Sequence, residues 1–210
     1  MFLLDLLFPR HCLGCQQEGY YFCPRCQQEI KLLRFQISPV ISLFPYEGMI
    51  KKAIIKLKYH FVTDLVEELS ALIIKTIKQE KELTWFKNLS KRKKVILIPL
   101  PLHYRRLNWR GFNQSELLGR KIAEAFDWQV RNDLLIRQKA TQPQVGLKGN
   151  KRYQNIKGAF KINSNSKIRE SKSEILLFDD VWTTGSTMKE AQRVLKKAGF
   201  KRVYGLTICR

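Results

Sequence analysis

The chain has 210 residues, 44% hydrophobic and 11% aromatic, with 39 Lys and Arg against 18 Asp and Glu, a formal net charge of +21. That length holds one ordinary domain and a small appendage, and the apolar and aromatic content is that of a folded protein with a core. The sequence pI of about 10.0 is extreme for a small-molecule enzyme and points to a polyanionic partner, either nucleic acid or an acidic membrane surface, with a solubilising lysine coat as the alternative.

The first eight residues are apolar except Asp5, but they lack the basic segment and small-residue cleavage site of a secretory signal. No apolar run approaches eighteen residues, so no transmembrane helix is expected. The expected location is cytoplasmic, free or peripherally attached at the inner face of the membrane. Cys12-Leu-Gly-Cys15 and Cys23-Pro-Arg-Cys26 form two C-x-x-C pairs separated by seven residues. Four thiolates on two tight turns make a tetrahedral zinc set, closed to catalysis. The other readings are a disulfide pair, disfavoured in a reducing compartment, and a redox C-x-x-C. Zinc would replace a core that so short a segment cannot build, with apparent binding energies of about 10–16 kcal/mol. Gly14 is expected to supply unusual backbone angles in the knuckle, and Cys209 to be a small buried hydrophobe. The expected division is a Cys₄ zinc-finger module at 1–38 and a second domain at 39–210.

A weak linker from Lys31 to Ser38 leads to a predicted strand at Pro39–Tyr46. Helical spacing predicts helices from Gly48 to Lys58 and from Thr63 to Lys78, the second on Leu65, Leu69, Leu72, Ile73 and Ile77. Lys51, Lys52, Lys56 and Lys58, with Tyr59 and Phe61 beside them, suit a nucleic-acid strand as well as they suit a solvated helix face. His60 reads as structural. A charged connector, Lys87 to Lys94, precedes a strand at Val95–Pro99.

Pro99 to Ser115 is predicted to leave that strand through a proline-stiffened loop and enter a helix near Asn113. Arg105, Arg106 and Arg110 crowd this loop with no acidic residue before Glu116. Such a cluster suits a diphosphate leaving group and equally a phosphate backbone. Arg137 to Phe160, after a predicted strand at Asp133–Ile136, is polar, basic and glycine-containing; it reads as a loop over a site followed by a short helix. Asn163 to Ser173 reads as an exposed hairpin or loop.

Glu174 to Thr187 organises the rest. An apolar run, Ile175 to Phe178, predicts a buried parallel strand that ends on Asp179 and Asp180 and turns through Thr183, Thr184, Gly185, Ser186 and Thr187. A helix follows on Met188, Ala191, Leu195 and Ala198, and Arg202 to Ile208 returns as a strand. The chemistry lies at the carboxyl end of a strand, where open α/β sheets place ligands. Free N–H groups at the helix start, the hydroxyls and the glycine suit a phosphate monoester. No lysine lies in the loop, which argues against a nucleoside-triphosphate P-loop. The two carboxylates suit sugar hydroxyls, so the stretch describes a ribose 5-phosphate site.

This stretch resembles the phosphoribosyl-diphosphate (PRPP) signature of type I phosphoribosyltransferases. That resemblance implies that Asp179 and Asp180 meet the ribose hydroxyls and that Thr183 to Thr187 cradle the 5-phosphate, with Mg²⁺ accompanying PRPP. The ordered set of Cys₄ knuckle, Pro-x-Pro with Arg-Gly-Phe-Asn-Gln, Arg-x₃-Thr-x₂-Gln-x₂-Leu-x₄-Arg-x₂-Asn-x₂-Gly-Ala-Phe, and this loop is similar to the bacterial ComF family. Membership implies an α/β, type I phosphoribosyltransferase-like parallel sheet flanked by helices, with a small N-terminal zinc-binding module. It also implies a role in natural transformation, handling incoming single-stranded DNA beside a helicase-like partner and a DNA-loading protein. Arg105, Arg110, Arg137 and Arg152 are the candidates for the diphosphate. Two classes stay open: a transferase of phosphoribose to an unidentified acceptor, in metabolism or in DNA handling, and a DNA-binding module with PRPP as regulator or relic.

Overall fold

A computed structural model of the protein describes residues 9–33, 39–80, 86, 88–89, 94–140, 155–166 and 173–210. The elements in chain order are α1 Pro24–Gln28, β1 Val40–Phe44, α2 Gly48–Tyr59, α3 Leu65–Gln79, β2 Val95–Pro99, α4 Tyr104–Arg110 and α5 Gln114–Ala125. They continue with β3 Gln129–Val130, β4 Leu135–Arg137, β5 Phe160–Ile162, β6 Glu174–Val181, α6 Ser186–Lys197 and β7 Arg202–Cys209.

The strand sequences are apolar on both faces because both faces of the sheet are covered. Five strands lie in the order β1-β7-β6-β2-β3, every pairing parallel. Side chains alternate between two cores. Val95, Leu97, Leu176, Phe178, Leu206 and Ile208 join Ile54, Leu57, Leu69, Ile73 and Leu118 of α2, α3 and α5. Ile96, Ile98, Ile175, Leu177 and Val203 join Met188, Ala191 and Leu195 of α6. The antiparallel ribbon β4–β5 closes that second core with Leu135 and Phe160. Burying each such side chain is worth about 1.5–3 kcal/mol. Gly119 lets α5 lie close on the sheet, since a Cβ there would stand 2.9 Å from Leu97 Cδ2.

The parallel sheet flanked by helices agrees with the sequence expectation, and so do α2, α3, α5, α6 and β7 within a residue or two. Three details differ. The arginine-rich stretch after β2 winds into the short helix α4, started by the His103 ring, which accepts the Arg105 N–H at 3.3 Å. β6 runs on through both aspartates to Val181 because it stays paired with β7 there. β3 and β5, two and three residues long, carry too little pattern to be seen in advance.

After β2 the chain moves outward to β3, whereas after β6 it moves the other way, to β7. The β2/β6 boundary is therefore the switch point of the sheet, and the carboxyl ends of these two strands are where such a sheet places a ligand crevice.

Candidate functional site

The N-terminal knuckle comes first in the chain. One sulfur from each of Cys12, Cys15, Cys23 and Cys26 lies within 4.8 Å of the others. Tetrahedral Zn–S bonds of about 2.3 Å place sulfurs roughly 3.8 Å apart, and Cys15 Sγ to Cys23 Sγ is 3.6 Å. The donor set therefore fits a metal such as zinc. Backbone N–H groups of Cys23 and Cys26 donate to Cys12 Sγ and Cys23 Sγ, each at 3.5 Å. Burial pushes the Cys12 thiol up, but the N–H groups of Cys23, Cys15 and Gly14 outweigh it and bring its pKa down to about 6, favouring the thiolate a metal needs. Hydrogen bonding with the Cys23 thiol and burial instead push Cys26 up to about 12. Gly14 is required for space rather than for its backbone angles: a Cβ would stand 2.8 Å from Cys26 Sγ and 2.9 Å from Met49 Sδ. The left-handed residues of the knuckle are Gln16, at φ 66°, and Gly19, at φ 94°.

The knuckle is fastened to the helices below it. Glu68 accepts the N–H groups of Tyr21 at 2.9 Å and Phe22 at 2.8 Å, and the Tyr21 hydroxyl donates to Asp64 at 2.7 Å. Lys52 Nζ donates to the Leu13 carbonyl at 2.7 Å. Leu13, Tyr21 and Phe22 belong to the same core as α2 and α3.

At the switch point, strand alternation sends the two aspartates different ways. Asp180 is buried, and its Oδ2 accepts from Lys58 Nζ at 2.7 Å and from Gln114 Nε2 at 2.9 Å. Gln114 Oε1 in turn accepts from Arg110 Nη1. A guanidinium on one side and a carboxylate on the other leave one orientation for that amide. Burial pulls the Lys58 ammonium down, but the Asp180 carboxylate outweighs it and holds its pKa above the ordinary lysine value. Asp179 is partly exposed, and its Oδ1 accepts from Ser115 Oγ at 3.2 Å and from the Asp180 N–H at 2.9 Å. Burial and the Asp180 charge, opposed by Lys58, push the Asp179 carboxyl up to about 7.

The hydroxyl loop joins β6 to α6. The Trp182 N–H donates to the Cys209 carbonyl at 2.8 Å, fixing the loop to the end of β7. Gly185 has φ 73°, and a Cβ on it would stand 2.2 Å from the Trp182 ring, so both backbone and packing require glycine. It starts α6 without a side-chain cap, while Thr184 Oγ1 and Ser186 Oγ lie 2.8 Å apart beside the helix start. Asp179, Trp182, Thr183, Gly185 and Thr187 line a concavity of about 10 Å³, room for one water.

Arg137, 9% exposed, reaches the same end of the sheet from the ribbon, with its guanidinium 5.5 Å from the Phe160 ring centroid. Burial and the charge of Arg106, opposed by Asp179, bring its pKa down to about 10. Burial, then Arg105, Arg137 and Arg106, lowers the pKa of His103.

The fold thus gathers Asp179, Asp180, the 183–187 loop, Arg110 and Arg137 at one sheet end, while Arg105 projects into solvent against Tyr104. Arg152 lies outside the described residues, as do 141–154 of the expected loop, 34–38 of the linker, 167–172, and 87 and 90–93 of the connector. The four lysines of α2 are not one outward-facing set. Lys58 is drawn under the sheet end by Asp180, and Lys52 is engaged by Leu13, whereas Lys51 and Lys56 are exposed. Gln114, Ser115 and His103 are site residues that sequence reasoning did not single out, and Lys58, a nucleic-acid candidate there, is bound to Asp180 at the sheet end instead. The N-cap at Asn113, which aims the first turn of α5 at the crevice, was the available signal for two of them.

Among the described residues no helix is long and apolar enough to cross a membrane. No family model matches the chain. The chain is 38% identical over 112 residues to Competence protein F of Haemophilus influenzae, covering 52% of this chain and 48% of that protein. It is 27% identical over 172 residues to the DNA utilization protein YhgH of Escherichia coli K12, covering 81% and 71%. Against Competence protein ComFC of Bacillus subtilis it is 27% identical over 158 residues, covering 75% and 58%. The matched part therefore spans from about half to somewhat over two thirds of the length of these relatives.

Proposed function

Because the chain belongs to the ComF family, we propose that it acts in competence or DNA utilization through a phosphoribosyltransferase-like domain that binds PRPP at the β2/β6 crevice. One observation carries this reading: at the switch point a partly exposed carboxylate, Asp179, stands beside a hydroxyl loop that opens a twelve-residue helix. Residues 39–210 would form this domain and residues 1–38 a zinc-held module.

In this reading Asp179 accepts hydrogen bonds from the ribose hydroxyls. Asp180 shares that task only by loosening its hold on Lys58; otherwise it sets the position of Gln114 and, through it, of Arg110. The backbone and hydroxyls of Thr183 to Thr187 take the 5-phosphate at the mouth of the concavity, where helix-start N–H groups favour an anion. Arg110 and Arg137, with Arg105 and Arg152 as further candidates, face the diphosphate, whose counter-ion Mg²⁺ would arrive with it. If transfer occurs, a nucleobase nitrogen bonds to C1 of the ribose as the C1–O bond breaks, and diphosphate departs with the electron pair. The arginines would stabilise that leaving charge.

The net charge of +21 favours a nucleic-acid partner as well, so the second reading keeps PRPP as a regulator of a single-stranded DNA-binding module. A helicase-like protein and a DNA-loading protein are the expected partners in either case. Titration calorimetry of the zinc-loaded protein with PRPP–Mg²⁺, with and without oligo-dT, tests both. Saturable PRPP binding is expected, coupled to the oligonucleotide if PRPP regulates; no heat from PRPP in either condition rejects the site.

A further inference from the structure

Beside the crevice the chain exposes large rings that no core explains. Tyr59 is 53% exposed, Phe61 43%, Tyr104 59% and Trp109 60%. They come from two places in the sequence, the end of α2 and the helix α4, and one ring from each, Phe61 and Trp109, meet edge to face with centroids 5.5 Å apart. Phe112 also meets Phe61 edge to face, at 6.3 Å between centroids. Phe61 holds φ 56°, a left-handed conformation uncommon for a bulky residue and costly to keep, of the kind that gathers at functional sites.

Cations surround these rings. The segments from Gly48 to Thr63 and from His103 to Asn113 carry four lysines and three arginines and no carboxylate. Lys58 is neutralised by Asp180, but Arg110 lies 5.9 Å from the Trp109 ring and Arg105 5.9 Å from the Tyr104 ring. Arg110 also hydrogen-bonds Gln114, which holds Asp180, so the rings adjoin the carboxylate end of the crevice.

We propose that Phe61 and Trp109 form a base-stacking platform for single-stranded nucleic acid, with Arg105 and Arg106, one helical turn before Trp109 on α4, and Lys56 taking its phosphates. Stacking needs a ring face in solvent with a cation within reach of the next phosphate, and Trp109 meets both conditions. Every base offers a π-face, so recognition is sequence-tolerant, as suits a strand whose sequence varies. The inference rests on the nucleic-acid reading above and adds where the strand lies: across the mouth of the PRPP crevice, its bases beside the ribose end.

The test uses the zinc-loaded full chain and fluorescein-labelled dT₂₀, with an abasic oligomer of equal length, anionic phosphatidylglycerol vesicles, and PRPP calorimetry as a control. Trp109→Ala is expected to weaken dT₂₀ binding roughly tenfold, Trp109→Phe to restore most of it, and the abasic strand to bind about as weakly to the parent as dT₂₀ binds to Trp109→Ala. PRPP binding should be unchanged in all variants. Trp109 is solvent-exposed, so its removal should leave the fold intact; Phe61→Ala serves as the second variant, checked by its melting temperature. If the parent binds dT₂₀ but Trp109→Ala and the abasic strand bind equally well, the platform is wrong while the nucleic-acid reading stands. If the parent does not bind dT₂₀ even at low salt, both are wrong. If Trp109→Ala abolishes vesicle binding and spares dT₂₀, the surface serves a membrane and the platform is overturned.

Discussion

The knuckle and the crevice are built in opposite ways. In the knuckle four sulfurs converge within 4.8 Å, and backbone N–H groups already favour the thiolate form of Cys12. In the crevice one of two adjacent carboxylates is taken by Lys58 and Gln114, and the other holds its proton up to about 7. A structural metal site gains by being assembled before its ion arrives. A site that admits and releases a ligand can instead hold its charges with internal partners until the ligand replaces them. The contrast can be broken at either end.

The largest effect is expected at the knuckle. Cys12→Ser, or a strong chelator, should remove the metal, and binding energy on the order of 10 kcal/mol goes with it. Because Leu13, Tyr21 and Phe22 also pack into the core over α2 and α3, the melting temperature of the whole chain should drop, not only the order of its N-terminus. Metal analysis with calorimetric melting checks this, and an unchanged melt in the metal-free protein would separate the two regions.

Next comes the buried pair. Lys58→Met leaves the Asp180 carboxylate buried without its charge partner, at a cost of about 3–5 kcal/mol. Replacing both, with Asp180→Leu added, should recover most of that loss, because a well-packed apolar pair is often as stable as a buried ion pair. Denaturant midpoints of the two variants measure the difference; equal losses would mean that Lys58 contributes packing rather than charge.

Gly185→Ala should cost about 1–3 kcal/mol, since its φ of 73° disfavours any Cβ and the Trp182 ring already occupies the space. Thermal melts read that cost, and PRPP affinity should fall further than stability alone explains.

A smaller effect is the pH dependence. Asp179 must be ionised to accept from ribose hydroxyls, and its pKa stands at about 7 in the free protein. PRPP affinity should therefore fall about tenfold from pH 8 to pH 6, and Asp179→Asn should flatten the profile. Stability has the opposite sign. The folded state holds this proton more tightly than the unfolded chain, so the contribution is present below about pH 4 and is lost as the pH rises towards 7.

The same contrast governs what the sequence reveals. Cys12, Cys15, Cys23 and Cys26 lie within fifteen residues, and their spacing alone points to a metal site. The strand, aspartates and hydroxyl loop from Ile175 to Thr187 are equally local, so their order along the chain was legible. Lys58 was not: it follows the lysine periodicity of an outer helix face, and only Asp180, 122 residues away in sequence (180 − 58), draws it inward. Gln114 and Arg137 are similar, because their roles come from packing α5 and the β4–β5 ribbon over the sheet end. The opposite facing of Asp179 and Asp180 follows from β6 remaining a paired strand through Val181, which the polar residues there disguise.

The claim that the β2/β6 crevice is a PRPP site rests most directly on Asp179, the partly exposed carboxylate beside the hydroxyl loop. Titration calorimetry of PRPP–Mg²⁺ into the parent and into Asp179→Asn, at pH 8 with full zinc, measures it. The parent should bind saturably and the variant on the order of a hundredfold more weakly, as two hydrogen bonds to a charged acceptor are lost, while its melting temperature stays equal or rises. Equal PRPP affinity in the two proteins would contradict the account.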